Sequence, residues 1–229
     1  IKENAARQLE TRRDQKIEDL QERIATVEAK MLLLTTDFSM SSAVKALASG
    51  YESIADADPR SVDFLREEFA ANRMPEAEQP DFSLFSYLFQ YQRWNNWGEK
   101  QAQFLDLDDL YFVNLDGDVV FSIGAHGELG LNIGEGPLAA TKFGQVASQA
   151  LDLATGSKSS AVFTSDFEEY APRGEQLSFF AAPSYDLYGS AIGVFVAALP
   201  KSTFDVLDGD LGFVYPTHTM LYAKSGEQV

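Results

Sequence analysis

From Ala5 to about Leu34 the chain carries neither Gly nor Pro and is rich in Glu, Gln, Arg, Lys and Ala. These residues propagate a helix well. Within the run Ile17, Leu20, Ile24, Val27, Met31 and Leu34 recur at steps of 3, 4, 3, 4 and 3, the a/d spacing of a coiled-coil seam. A helix of about 30 residues is about 45 Å long, more than the width of a small domain. Part of it must therefore project, or run the length of a tall molecule. Its seam faces either a second copy of the chain or the protein's own core. We assign residues 1–36 to this helix, as a signalling and dimerisation element.

Residues 37–105 read as a further helical segment. "DFSMSSAVKALASG" predicts a short helix capped by Ser39, Ser41 or Ser42 and stopped at Gly50. Asp58-Pro59 starts another, with Val62, Phe64, Leu65 and Phe69 at helical spacing. Pro75 and Pro80 bracket an acidic loop. "DFSLFSYLFQYQRWNNWGEK" then follows, dense in aromatic residues. It either packs helices onto a sheet or lines a site.

The texture changes after Asp106. Strand-like runs occupy Tyr111–Leu115, Val119–Ile123, Ala161–Thr164, Ser178–Pro183 and Ala191–Leu199. Asp116-Gly117-Asp118 between the first two is a hairpin signal, and residues 185–189 turn between the last two. A glycine-rich stretch, "GAHGELGLNIGEGP", precedes a helix at about Leu138–Ala154 with Phe143, Val146, Ala150 and Leu153 along one side. The order β-β-α-β-β-β predicts an α+β unit over residues 106–202, an antiparallel sheet with helices on one face. Residues 203–229 read as a short amphipathic helix and a strand. They either begin a second, truncated unit or cover an edge of the first.

Composition excludes several functions. A formal charge of −17, from 18 Lys and Arg against 35 Asp and Glu, repels nucleic acid and anionic lipid. Without cysteine there is no disulfide, thiol nucleophile or thiolate metal site. The two histidines, His126 and His218, have no zinc spacing. "DLDDLYFVNLDGD" fails the calcium-loop pattern at Leu110. No Gly-x-Ser-x-Gly or phosphate-loop motif occurs, and Glu168 and Glu169 alternate in direction on a strand. We assign no catalytic residue, metal or cofactor. No apolar run reaches the length of a membrane span. The chain opens at Ile1 without a signal peptide and reads as an excised or processed piece whose anchor lies outside it. Asp166, Phe167, Tyr170 and Arg173 cluster in a loop between strands. They form either an aromatic wall with a carboxylate and a guanidinium for a small polar ligand, or a structural ion pair.

The segments "LYFVNLDGDVVFSI", "GELGLNIGEGPLAAT" and "FTSDFEEYAPRGEQLSFFAAPSYDLYGSAIGVFVAALP" together resemble Cache domains. These are PAS-like extracytoplasmic sensor domains of bacterial methyl-accepting chemotaxis receptors and of related sensor kinases and cyclases. The elements in order are Asn114–Gly117, Gly130-Leu131-Asn132-Ile133, Gly136-Pro137, Asp166-Phe167-Glu168-Glu169-Tyr170-Ala171-Pro172, Phe180-Ala181-Ala182-Pro183 and Ile192-Gly193-Val194. The resemblance covers about Leu110–Pro200, and the long first helix suits the family. One departure concerns the last strand. Amino-acid-binding relatives often carry an acid after its glycine, whereas here the run is Gly193-Val194-Phe195-Val196-Ala197-Ala198-Leu199. Tyr91-x-Arg93-Trp94 matches their carboxylate-binding segment only in part.

The resemblance implies a five-stranded PAS-like sheet with flanking helices, in the periplasmic part of an inner-membrane receptor. It implies a small polar ligand between the sheet and the aromatic segment. Arg93 would pair a ligand carboxylate. Trp94, Trp97, Tyr111 and Phe179 would form walls, and Asp166 and Tyr170 would supply polar contacts. A homodimer through the first helix is expected, with the full-length protein membrane-anchored and this piece soluble. The alternatives are the sensor of a histidine kinase or nucleotide cyclase, or a dimerisation or docking module that binds no small molecule. A third is an enzyme with a metal at Asp106, Asp108 and Asp109.

Overall fold

A computed structural model describes residues 2–71, 82–105, 107–124, 127–157, 159–201 and 203. The acidic loop with Pro75 and Pro80, Asp106, His126, His218, the helix after Thr203 and the strand-like restart at 212–229 lie outside the described residues.

Four helices come first: α1 (Lys2–Thr36), α2 (Phe38–Ala57), α3 (Pro59–Ala70) and α4 (Phe82–Leu105). The a/d seam of α1 turns inward. Val27, Met31 and Leu34 are buried in the protein's own core, Leu20 and Ile24 pack at its margin, and Ile17 is 46% exposed. α2 is capped by Asp37, not by a serine. The Asp37 carboxylate accepts from the Met40 N–H at 3.0 Å. The helix continues through Gly50, which lies against Tyr87 of α4, and ends at Asp58. There the Asp58 N–H closes on the Ile54 carbonyl while its carboxylate receives the Arg60 N–H, both at 3.0 Å. Pro59 then opens α3, where its missing N–H costs nothing.

The strands are β1 (Asp109–Val113), β2 (Val119–Ser122), β3 (Phe163–Thr164), β4 (Glu168–Tyr170), β5 (Glu175–Tyr185) and β6 (Ala191–Pro200), with α5 (Lys142–Gly156) between β2 and β3. The sheet is antiparallel in the order β2-β1-β6-β5-β3, with β4 also paired to β5. Segment 168–170, read in the sequence as loop, thus adds a sixth short strand. α5 starts later than its apolar pattern does, because Leu138–Ala140 turns first. Thr141 then caps the helix, its hydroxyl accepting from the Gly144 N–H at 3.1 Å.

The β1–β2 turn is built by Asn114. Its side-chain oxygen accepts from the backbone N–H groups of Asp116 and Asp118 at 3.1 and 2.8 Å, and Gly117 takes φ +88°, a conformation favourable only to glycine. The glycine-rich stretch then lies along the free edge of β2. Gly130 N–H donates to the Val119 carbonyl at 2.8 Å, Val119 N–H to Leu131 at 2.9 Å, and Ile133 N–H to Gly117 at 2.8 Å. Asn132 pins it, donating to the Asp116 carbonyl and the Asp118 carboxylate at 2.9 Å. The Asp118 carboxylate and the Asp116 backbone are thereby committed to the turn.

Helices cover both faces of the sheet, not one. Alternation along β1 sends Leu110 and Phe112 to one face and Tyr111 and Val113 to the other. The first face packs on α1, α2, α3 and α4 through Met31, Leu47, Phe69, Tyr87 and Tyr91. The second packs on α5 through Phe143, Val146, Ala147 and Ala150. β6 is apolar along its whole length and β5 is buried from Leu177 to Ser184, so both faces of these strands are covered.

Candidate functional site

The sheet divides the residues singled out in the sequence. Trp94 and Trp97 on α4 pack at the margin of the helical-side core. Arg93 is exposed, its guanidinium 5.3 Å from the centre of the Trp94 ring. Tyr111, Tyr170 and Phe179 lie in the core under α5. Asp166 sits at the sheet edge, half-buried, and its carbonyl accepts the Ser165 hydroxyl. One pocket holding all seven is therefore not formed. The space beneath the aromatic segment is filled by rings, with Tyr91 5.0 Å from Phe69 and 5.4 Å from Phe121. The Tyr87 hydroxyl donates to the Val120 carbonyl at 2.8 Å and that of Tyr91 to Ser122. That segment welds helices to the sheet.

The α5 side holds a different arrangement. Four rings pack into a cluster. Phe143 lies 5.0 Å from Tyr111, 5.4 Å from Phe179 and 6.4 Å from Tyr170, and Tyr170 lies 5.0 Å from Phe179. The edge-on pairs are favourable aromatic geometry. At one end of the cluster the Arg173 guanidinium lies beside the Tyr111 hydroxyl and within electrostatic reach of Tyr170. A tight turn after β4 carries Arg173 there: the N–H groups of Arg173 and Gly174 both donate to the Tyr170 carbonyl, at 3.0 and 2.8 Å. Arg173 then reaches Asp108 at the start of β1, 2.5 Å away, and Glu175 at 3.3 Å.

Glu128, only 1% exposed, approaches from the glycine-rich segment. Its carboxylate lies beside the Tyr170 hydroxyl and within electrostatic reach of Tyr111. The Tyr111 hydroxyl likewise lies beside Arg173. In neither pair does the hydroxyl reach full hydrogen-bond geometry, and Arg173 Nη1 is buried without a hydrogen bond.

Burial pushes the Tyr111 phenol well above its ordinary value, and Asp109 and Glu128 add to that against Arg173. Tyr170 is raised in the same way, by burial and then by Glu128. Burial pulls Arg173 down, but Tyr111, Asp108 and Asp109 more than offset it and hold it protonated. All three groups are consequently hydrogen-bond donors at neutral pH.

The neighbouring acids are otherwise engaged. Asp109 is fully buried, accepting from the Ile123 and Gly124 N–H groups at 3.0 and 3.2 Å and from the Ser122 hydroxyl at 3.0 Å. With Asp108 paired to Arg173, two of the three acids imagined as a metal set serve the fold. Among the described residues no group of three or more His, Asp or Glu side chains could hold a metal ion. Glu168 turns to the first turn of α5 and accepts from the Lys142 N–H at 2.7 Å.

Arg173 was legible only as a loop charge near Tyr170. Its partnership with Tyr111 crosses the sheet and has no sequence signature. Glu128 is a lone acid in "GELG", with nothing local to distinguish it. Among the described residues no helix is long and apolar enough to cross a membrane.

No family model and no curated protein matches the chain. Solved structures do. The sensory domain of the Campylobacter jejuni chemoreceptor Tlp3 is similar at 12% identity over 82% of this chain and 68% of that one, with a TM-score of 0.41. The sensor domain of the V. cholerae histidine kinase DctB follows at 14% identity over 70% of this chain and 61% of its own, TM-score 0.40. The E. coli DcuS sensor domain is similar at 16% identity over 66% of this chain and 99% of its own, TM-score 0.35. The chain thus spans about two thirds of the first two. All three are sensor or sensory domains.

Proposed function

We propose that this chain is the ligand-sensing part of an extracytoplasmic bacterial receptor and takes a small polar molecule at the donor cluster of Tyr111, Tyr170 and Arg173 on the α5 side of the sheet. The observation that carries this is the convergence of Tyr111, Tyr170 and Arg173: two buried phenols and a largely covered guanidinium at one end of a packed aromatic cluster, short of full mutual hydrogen bonding. Buried polar groups are normally satisfied, so a set held open is matched to something it receives. The motif order supports the sensor reading, with a chemotaxis receptor as the parent protein and a histidine kinase or nucleotide cyclase as the alternative. The receptor is membrane-anchored and the sensor periplasmic. The exposed N-terminal part of α1 pairs two copies, and its buried part, packed on the sheet, carries the signal as a small shift.

A thermal-shift screen of organic acids, amines and sugars tests the reading. A true ligand at a hundredfold excess over Kd stabilises by about 2.7 kcal/mol, and Arg173→Ala abolishes the shift. If no compound moves the midpoint, and Arg173→Ala leaves the intact receptor's response unchanged, the sensor site is refuted.

A second reading has its own observation. Phe82, Phe85 and Phe89 on one face of α4 are 82%, 56% and 57% exposed, which favours a docking module. Replacing all three by Ser while retaining ligand response would count against it.

A further inference from the structure

We propose that the outer face of α4 pairs with the same face of a second copy of this chain, side by side and parallel. This names the occupant of the docking face described above and is independent of the ligand site. The residue order of α4 comes first. On its inner side Leu84, Tyr87, Leu88 and Tyr91 are buried in the helical-side core. On its outer side Phe82, Phe85 and Phe89 are each more than half exposed. The first turns are thus apolar all round, the pattern of a helix covered on every side, yet the fold covers only the inner one. The three outer phenylalanines form one surface. They fall three and four residues apart, and the Phe85 and Phe89 rings stack with centres 6.5 Å apart. At about 200 Å² per phenylalanine, on the order of 400 Å² of ring is left to water, as much as the largest apolar patch of a typical monomer. Two copies meeting here cover about twice that area, and Ser86, Gln92, Arg93 and Asn96 on the same face bring the contact to about 1,000 Å², the size of a specific interface.

Charge selects the occupant. The chain carries −17, so two copies repel unless they meet where acids are absent. Residues 82–98 contain no Asp or Glu and one cation, Arg93, whose guanidinium lies 5.3 Å from the centre of its own Trp94 ring. A single cation gives an acidic partner little to recognise, whereas an acid-free apolar face on an acidic chain fits a second such face. The order along the helix sets the direction. Phe82, Phe89 and Asn96 are seven residues apart, as are Phe85 and Gln92, so rings occupy one half of the face and amides the other. Parallel pairing sets ring on ring and Asn96 on Asn96, a polar pair that fixes register. Antiparallel pairing buries the Asn96 amide against Phe82 without a partner. α4 packs on β1 and α1 on β5, with α2 touching both helices, and β6 separates those strands. The α4 face is therefore separate from α1, and pairs formed through one helix are joined through the other.

The test uses the full chain, which has no cysteine, with one introduced at a time. Under oxidation Phe89→Cys and Asn96→Cys should each cross-link to a dimer, and Glu52→Cys, exposed on α2, should not. Ile17→Asp should leave the Phe89→Cys cross-link intact, which separates this contact from pairing through α1. In the Ile17→Asp background, sedimentation equilibrium should show association weakened about thirtyfold or more when Phe82, Phe85 and Phe89 become Ser. The melting temperature of the dilute protein should stay within about 2 °C, as for other surface substitutions. A chain that stays monomeric to millimolar concentration and forms no cross-link overturns the proposal and leaves the ligand site untouched. Cross-linking of Phe82→Cys to Asn96→Cys, in place of like to like, overturns the parallel arrangement. A monomer whose melting temperature drops by more than about 5 °C in the triple Ser variant has the face covered by its own chain, which also overturns the proposal.

Discussion

Gly193 lies where β6 presses closest on β1. Its φ is +143°, and a Cβ there would meet the Val113 carbonyl oxygen at 2.2 Å and the Phe112 ring at 2.6 Å. Neither is a flexible side-chain tip, so the strands would have to separate. Gly193→Ala should cost about 2 kcal/mol or more, combining overpacking with backbone strain, read as a lower denaturant midpoint. An unchanged midpoint would show that the contact relaxes. On α4 the Tyr91 hydroxyl, fully buried, donates to the Ser122 carbonyl. Tyr91→Phe should cost about 1–3 kcal/mol, because the carbonyl loses its side-chain donor in a dry interior. The same buried residues divide what the sequence could say. The Asn114–Gly117 turn was legible because its chemistry is local. Tyr111 was legible as a strand residue, but its partner Arg173 was not, since 62 residues of chain separate them.

At the scale of elements, the α1 seam answers the question its spacing raised, in part. Met31 is 1% exposed within the helical-side core, so Met31→Ala should destabilise by about 2–5 kcal/mol. Ile17→Ala should stay within about 0.5 kcal/mol for the isolated chain. A large loss at Ile17 that depends on protein concentration would instead reveal pairing through the exposed end. The β5–β6 turn gives an acid-side prediction. Asp186 accepts from the N–H groups of Tyr188 and Ser190 at 2.9 Å and from Lys45 at 3.3 Å. The backbone bond from Ser190 is the main cause that lowers its carboxyl below the ordinary value of 3.8. A carboxyl lowered on folding stabilises above its unfolded pKa and loses that contribution as pH falls through the folded one. The stability difference between the protein and Asp186→Ala should therefore be constant near neutrality and shrink below about pH 4. A difference that grows on acidification would contradict the assignment. These elements also show where local signals stop. Ser39, Ser41 and Ser42 are all plausible caps by type, but Asp37 stands where the helix begins. Gly50 reads as a stop until Tyr87 packs beside it.

For the whole molecule, the tyrosines bind fold to pH. Burial raises Tyr87, Tyr91, Tyr111 and Tyr170 well above the ordinary 10.0, and Tyr51 to about 12. A group raised on folding contributes stability that is complete below its unfolded pKa and is lost as pH rises through the folded one. Stability should fall above about pH 10. The tyrosinate absorbance of these buried rings should appear together with the loss of near-ultraviolet circular dichroism. Ionisation in a still-folded protein would refute their burial.

The helix-forming run, the order of strands and helices, and the hairpin turn follow from the chain alone, because propensity, periodicity and turn chemistry act over a few residues. The assignment of faces does not. A period of two says that Tyr111 and Phe112 point apart, but not which of them meets α4 and which meets α5. Only packing decided that Arg93, Trp94 and Trp97 lie across the sheet from Tyr170 and Phe179, because two apolar faces can each accept a helix. Only packing brought Glu128 and Arg173 to the same buried phenols, since charge and hydrogen bonding act through space and leave no period in the sequence.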